Sequence, residues 1–271
     1  MLTCYNTPQL KKIVYAVKAG VPAEKIFLLA VQTACFGYSS VFNTQQSPAP
    51  EPVHYYLLVL PESSQYRSNE TWQDMIEHRC RAITPVTAWV LPVAKFVQWL
   101  EAGQPFACTV YHDALLSYDA GKVVLPVPPP GNKEETEHAL RRECVHYTNR
   151  SAGFLNGSEQ YYLRRQYKLA AFLLHQAAEQ AYIAINWRAT GFRPMVHSLE
   201  KLHRYALPFS EKVADVFPQN SERELHLFRL LQKAYIDSRY TSEYEVQEDE
   251  LLCLTGRVGR LQEIAAACCG A

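Results

Sequence analysis

The sequence has no excess of charge of either sign, since Lys and Arg together number 27 and Asp and Glu together number 27. Broad, salt-driven binding to duplex DNA is therefore not expected. Long apolar runs are also missing. The most apolar stretch, residues 26–41, is interrupted by polar residues and is too short to span a bilayer. The N-terminus has no leader pattern. Together these absences predict a cytoplasmic protein that does not enter membranes.

The eight cysteines include no Cys-x2-Cys pair. Zinc ligation by thiolates is therefore not expected, and most of the cysteines are predicted to be reduced thiols. Cys268 and Cys269 are adjacent near the C-terminus but belong to no recognisable motif. No cofactor and no metal are expected.

A proline-rich segment at residues 126–131, with the sequence Pro-Val-Pro-Pro-Pro-Gly, cannot continue a helix or an interior strand. Because 271 residues suffice for two domains, this segment predicts a division of the chain. We expect a first domain at 1–125, a linker at 126–133 and a second domain at 134–271.

The part before the prolines mixes strand-like and helix-like patterns. Apolar runs predict strands at 25–36, 53–60, 83–91 and 114–118, and helical spacing predicts helices at 7–19, 70–81 and 93–101. This order indicates a mixed sheet covered by helices. The part after the prolines predicts helices at 134–154, 159–188, 221–240 and 248–268, within a bundle of about five helices. The fold class expected is α+β.

Polar residues follow helical spacing in the second half and are the candidate binding residues. One stripe on the long central helix contains His175, Glu179, Tyr182 and Asn186. A second face contains His197, Lys201 and Arg204, and Arg239 and Tyr240 end a later helix. If these stripes line one groove, cationic and aromatic side chains are available for a phosphate and a base. The alternative is a hydrogen-bond network that only fixes helix packing.

The motifs 175–179 (HQAAE), Gly191, 197–202 (HSLEKL) and Arg239-Tyr240 occur in the order typical of the HEPN domain, which the second half resembles. The resemblance implies a helical bundle, a link to nucleotides and a homodimer. Many HEPN proteins are ribonucleases with an Arg-x4–6-His motif on the last helices. Here no histidine follows Arg239, and Arg141 and His146, which fit the spacing, lie on the first helix of the bundle.

The first half is similar in outline to minimal nucleotidyltransferases of the DNA polymerase β type, which are often fused to HEPN domains. The segment 36–40 (FGYSS) stands at the family's Gly-Ser position, so Gly37, Ser39 and Ser40 are candidates for phosphate binding through backbone amides. An ordinary turn is the alternative. His54 and Tyr56 occupy the positions of the family's two metal-binding aspartates and are poor Mg²⁺ ligands, so this resemblance implies an inactive domain.

The sequence thus predicts a dimeric protein that binds a nucleotide or RNA without turning it over. Two alternatives stay open. One is a protein-interaction or dimerisation module of a toxin–antitoxin-like or defence system. The other is a ribonuclease or nucleotidyltransferase that uses non-standard catalytic residues.

Overall fold

A computed structural model describes residues 2–33, 38–42, 52–62 and 68–270. The chain divides into two compact units, Met1–Asn132 and Lys133–Ala271. All the strands lie in the first unit, whereas the second is helical. The α+β fold class predicted from the sequence is therefore confirmed.

The first unit contains helices and strands in alternation. Its helices are α1 (Pro8–Lys18), α2 (Asn69–Cys80), α3 (Val93–Glu101) and α4 (Pro105–Asp113). Its strands are β1 (Ala23–Thr33), β2 (Tyr38–Ser40), β3 (Pro52–Pro61), β4 (Val86–Val90) and β5 (Leu115–Asp119).

The sheet is organised around β1 and β3. β3 pairs antiparallel with β1 and parallel with β4, with α2 as the connection between the parallel strands. β5 and β2 both pair antiparallel with β1. Because β3 runs along one edge of β1, β5 and β2 share the other edge, at opposite ends of the strand.

Helices cover both faces of this sheet. One set of alternating β3 residues, Tyr55, Leu57 and Val59, belongs to a core shared with α1 and α2. The next set faces the opposite way and is equally buried, and on that side Phe27 of β1 lies 6.0 Å from Phe96 of α3 between ring centroids. Burial on both faces explains why β3 reads as an unbroken apolar run rather than as an alternating one.

The helix α4 and the short strand β2 were not predicted. The start of α4 has a local signal, because the Gln104 side chain accepts a hydrogen bond from the Ala107 amide at 2.9 Å and Pro105 occupies the first turn. β2 has only three residues, so its pairing with β1 determines it more than its own composition does.

The α-helices of the second unit are α5 (Lys133–Leu163), α6 (Tyr167–Thr190), α7 (Leu199–Ala206), α8 (Glu222–Ala234), α9 (Asp237–Tyr240) and α10 (Glu248–Cys269). α6 is central, since α5, α7, α8 and α10 all pack against it. Many of its buried residues are alanines, which allow neighbouring helices to approach closely. Ser151 and Ser158 of α5 donate hydrogen bonds to carbonyls of Ala177 and Ala170 on α6, at 2.8 and 2.9 Å.

The break between the first two helices of this unit was predicted in the wrong place. The sequence pattern indicates an interruption at 155–158, but α5 continues to Leu163 and the chain turns at 164–166, where Arg165 has a φ of 57°. Gly157 lies inside α5 instead. A Cβ atom there would lie 3.2 Å from Leu173 Cδ1, so the glycine permits close packing between α5 and α6.

The helix predicted at 221–240 is also divided. Ser221 caps its start as expected, with its hydroxyl accepting a hydrogen bond from the Glu224 amide at 3.3 Å. α8 then ends at Ala234, and the four-residue α9 begins at Asp237. The intervening residues, Tyr235 and Ile236, form a turn between the two helices.

Cys144 of α5 and Cys269 of α10 form a disulfide, with their Cα atoms 5.7 Å apart. This pair was not predicted from the sequence, because the two cysteines are 125 positions apart and only the packing of α10 on α5 brings them together. Four further cysteines of the described residues are free. Within the same residues, no helix is both long and apolar enough to cross a membrane.

Candidate functional site

The long helix α6 and the segment before α7 bring three of the predicted site residues together. His175 and Glu179 lie on the buried face of α6, with exposed fractions of 0% and 5%. Glu179 reaches His197, and its Oε2 atom lies 3.0 Å from His197 Nδ1. The carboxylate therefore fixes the orientation of an imidazole whose side chain is 61% exposed. Because Nδ1 is engaged by Glu179, Nε2 is the ring nitrogen left to contact a ligand.

Tyr235 joins these residues to the end of α8. The rings of His175 and His197 both stack with the Tyr235 ring, with centroids 5.0 Å away in each case and interplanar angles of 25° and 17°. This tyrosine was not predicted from the sequence. It precedes Arg239 by four residues on a predicted helix, so the two residues lie on the same face of that helix. This spacing is the signal by which the sequence could have identified Tyr235.

Arg239 is surrounded by aromatic rings. Its Cζ atom lies 4.8 Å from the Tyr235 centroid and 5.0 Å from the centroids of both Phe172 and Tyr240. Its Nε donates a hydrogen bond to the Tyr235 carbonyl at 2.8 Å. These contacts are cation–π interactions that hold an exposed guanidinium in one place. Phe172 was also missed, although it precedes His175 by three residues on α6.

We call this group the ring cluster. It comprises Phe172, His175, Glu179, His197, Tyr235, Arg239 and Tyr240.

His175 is the buried member of the ring cluster. Burial is the main cause that lowers its pKa to about 3, and the nearby His197 and Arg239 act in the same direction. A hydrogen bond with the His197 backbone acts in the opposite direction and offsets part of the lowering of the pKa. The imidazole is therefore neutral at pH 7 and contributes a flat, uncharged ring against which Tyr235 packs.

The rest of the polar stripe on α6 serves packing. The Tyr182 hydroxyl lies 3.0 Å from His203 Nδ1 on α7, and Asn186 Nδ2 donates to the Tyr182 carbonyl at 2.9 Å. All three side chains are buried. Burial, with a smaller contribution from the neighbouring Arg204, lowers the pKa of His203 to about 4. Both interpretations of the stripe therefore apply, each to a different part. Tyr182 and Asn186 pack helices together, whereas His175 and Glu179 contact residues that reach the surface.

Lys201 and Arg204 lie on α7 and are half-buried. Arg204 is ion-paired with Glu200 of the same helix at 3.9 Å. We do not assign either cation to the ring cluster.

The predicted phosphate site of the first unit is described only in part. Gly37 and the Ser39 side chain lie outside the described residues. Ser40 belongs to β2, opposite Ala30 of β1, and its hydroxyl accepts a hydrogen bond from the Phe42 amide at 3.2 Å. Its side chain therefore stabilises the turn after the strand.

His54 and Tyr56 point to the same side of β3 and contact each other. Their rings stack with centroids 4.7 Å apart, and His54 Nε2 lies 2.8 Å from the Thr87 hydroxyl on β4. The side chain of Tyr56 is fully buried, with the Trp89 ring 6.2 Å away. These residues pack the β3–β4 face of the sheet. Across the described part of the chain, no three or more His, Cys, Asp or Glu side chains are grouped to hold a metal ion.

The ring cluster offers an exposed guanidinium, an exposed imidazole with a fixed orientation and an exposed phenol ring. Guanidinium and imidazole groups bind phosphate oxygens, and an exposed aromatic ring stacks on a base. This combination suits a nucleotide or an unpaired stretch of nucleic acid better than an apolar ligand.

Residues 146–266 match the HEPN domain family. This part of the helical unit is therefore a HEPN domain, as the sequence motifs indicated, and such domains have functions related to nucleotides and RNA. The match includes every residue of the ring cluster. None of the curated proteins matches the chain.

Proposed function

We propose that the HEPN domain binds a nucleotide or a single-stranded RNA segment at the ring cluster and does not turn it over. One observation carries this proposal. The guanidinium of Arg239 is exposed yet held among three aromatic rings, and one of these, Tyr235, also stacks with the exposed imidazole of His197. A cation that is fixed before the ligand arrives loses less conformational freedom on binding.

In this proposal, Arg239 and His197 contact the phosphate. The base stacks on Tyr240, which is 73% exposed and extends the Arg239 contacts at the surface. Tyr235 is less suited to stacking on a base because both histidine rings already pack against it. An unpaired base presents its face to such a ring, whereas a base within a duplex does not.

We propose that the bound nucleotide or RNA is not cleaved, because neither Arg239 nor Arg141 belongs to a ribonuclease motif at the expected place. No histidine follows Arg239, so the Arg-x4–6-His motif of HEPN ribonucleases has no counterpart there. At the other match to that spacing, Arg141 donates a hydrogen bond to the Gly270 carbonyl at 2.6 Å, which caps the end of α10. This contact gives Arg141 a structural role.

Binding is tested by fluorescence anisotropy with labelled short RNAs and by thermal shift with ATP, GTP and cyclic nucleotides. We expect Arg239→Ala to weaken binding about 10- to 100-fold, since a hydrogen bond to a charged group is typically worth about 1.5–3 kcal/mol. Arg193→Ala is the matched control. Arg193 is also exposed and lies over an aromatic ring, that of Tyr147 at 5.6 Å, but outside the ring cluster.

Equal affinities for the wild-type protein and Arg239→Ala would refute the assigned site. If no ligand binds at millimolar concentration, nucleotide binding itself is refuted and a protein-interaction module becomes the better hypothesis. Cleavage of the RNA during the titration would contradict the absence of turnover.

We further propose that residues 1–125 form an inactive nucleotidyltransferase-like domain, connected by 126–133 to the HEPN domain. Support comes from His54 and Tyr56, which pack against Thr87 and Trp89 at the positions of the family's metal-binding aspartates. Incubation with radiolabelled ATP and Mg²⁺ should transfer no label to protein or RNA. Transfer that is lost in His54→Ala would overturn this proposal.

We also propose a homodimer, as is common among HEPN domains. Light scattering after size-exclusion chromatography should give twice the chain mass of 30.9 kDa. A monomer at micromolar concentration would refute the dimer without affecting the binding proposal.

A further inference from the structure

The disulfide between Cys144 and Cys269 encloses nearly all of the HEPN domain. Cys144 lies on α5 two residues before the family match begins, and Cys269 is the last residue of α10. Both side chains are buried, with exposed fractions of 0% and 2%. The bond therefore joins the first and the last helix of the bundle across 125 positions of sequence.

The surroundings of the two sulfurs also suit the reduced thiols. Thr148 Oγ1 lies 3.3 Å from Cys269 Sγ, and the Ala184 carbonyl lies 3.7 Å from Cys144 Sγ. Each thiol thus has a polar neighbour after the bond is broken. Reduction therefore does not leave either buried thiol as an unpaired donor.

The end of α10 provides the route by which a reductant reaches the bond. Cys269 is followed by Gly270, which ends the helix in a left-handed conformation with a φ of 70°. Besides the disulfide and the contact between Thr148 and Cys269, a hydrogen bond of 2.6 Å from Arg141 to the Gly270 carbonyl holds this end to α5. Fraying of one terminal turn exposes Cys269, and helix termini open at low free-energy cost.

We propose that the Cys144–Cys269 disulfide is a reversible redox clamp that fixes the C-terminal end of α10 to α5. The partner is a low-molecular-weight thiol. Its thiolate attacks one sulfur to give a mixed disulfide and one free cysteine, and a second thiol then displaces the other cysteine. The net change is two protein thiols and one small-molecule disulfide, and the reverse exchange re-forms the clamp. This proposal does not depend on ligand binding at the ring cluster.

The clamp is tested by equilibrating the full-length protein in glutathione buffers of increasing reduced-to-oxidised ratio. Free thiols are then trapped with N-ethylmaleimide and assigned by peptide mass spectrometry. Cys144 and Cys269 should become labelled together, in a single transition. Cys268→Ser is the control, because it removes the neighbouring thiol and should leave the 144–269 linkage intact.

Thermal unfolding supplies an independent readout that needs no substitution. Closing a loop of this length predicts a melting temperature on the order of 10 °C higher for the oxidised than for the reduced wild-type protein. Hydrogen exchange at residues 264–270 should be faster in the reduced form, and Cys144→Ser should reproduce the reduced form in both measurements. The clamp is refuted if the two cysteines remain labelled at every redox ratio, or if oxidised and reduced proteins melt at the same temperature.

Discussion

The two buried histidines of the HEPN domain predict that the protein loses stability in mild acid. The pKa of His175 is lowered to about 3 and that of His203 to about 4, in each case mainly by burial. In the unfolded chain, both take the ordinary value of 6.5. As the pH falls below 6.5, the unfolded chain binds protons that the folded protein does not, so stability is lost between 6.5 and the folded pKa.

At pH 5 this linkage costs about 2 kcal/mol for each histidine, or about 4 kcal/mol for the pair, relative to pH 7.5. The groups that face His175 are His197 and Arg239, and Arg204 faces His203. Lowering the pH removes none of the positive charge on these arginines. Burial and the neighbouring cations both disfavour the protonated imidazole in the folded protein, so both predict that stability falls as the pH falls.

The assay is urea unfolding followed by circular dichroism between pH 5 and 7.5. His175→Phe keeps a ring against Tyr235 but cannot be protonated, so its loss of stability over this range should be about 2 kcal/mol smaller than that of the wild-type protein. His138→Gln, at an exposed position on α5, should follow the wild-type curve. If His175→Phe shows the full wild-type pH dependence, the reasoning from burial is wrong.

Two further predictions concern single hydrogen-bonded contacts. Glu24 is fully buried and accepts the backbone amides of Lys122 and Val123 at 3.0 and 2.7 Å, so Glu24→Ala should lower the free energy of unfolding by about 2–4 kcal/mol in urea titrations. Glu62→Ala, which removes only an exposed ion pair with Lys122, should cost at most about 1 kcal/mol, and equal losses would contradict this account. Ser221→Ala removes the cap of α8 and should cost about 1 kcal/mol, whereas Ser221→Asp, measured in the same way, should restore most of it.

Much of the secondary structure could be predicted because its signals are local. The helix that becomes α1 begins after Thr7, whose hydroxyl caps it, and α3 has the predicted bounds, Val93–Glu101. The break at 164–166 could not be predicted, because neither glycine nor proline marks it and Arg165 takes a positive φ there. Local propensity favoured a break near Gly157, but packing against Leu173 gives that glycine a different role.

Part of the candidate site could also be predicted, because its signal is local. Helical spacing selected His175, Glu179 and Arg239, since residues on one face recur at intervals of three and four. Spacing within a helix does not show which residue of another helix lies opposite. Tyr235 packs against His175 on α6 and against His197 before α7, and spacing within its own helix specifies neither contact.

The α+β class, the HEPN motifs and the helix faces could be identified from the sequence, because each is encoded in composition, periodicity or short spacing. The tertiary structure alone decided that Glu179 holds His197, that three rings surround Arg239, and that Cys144 meets Cys269. Most of these contacts join residues on different elements of the helical unit. Their geometry depends on how the helices pack around α6, which no local pattern in the chain specifies.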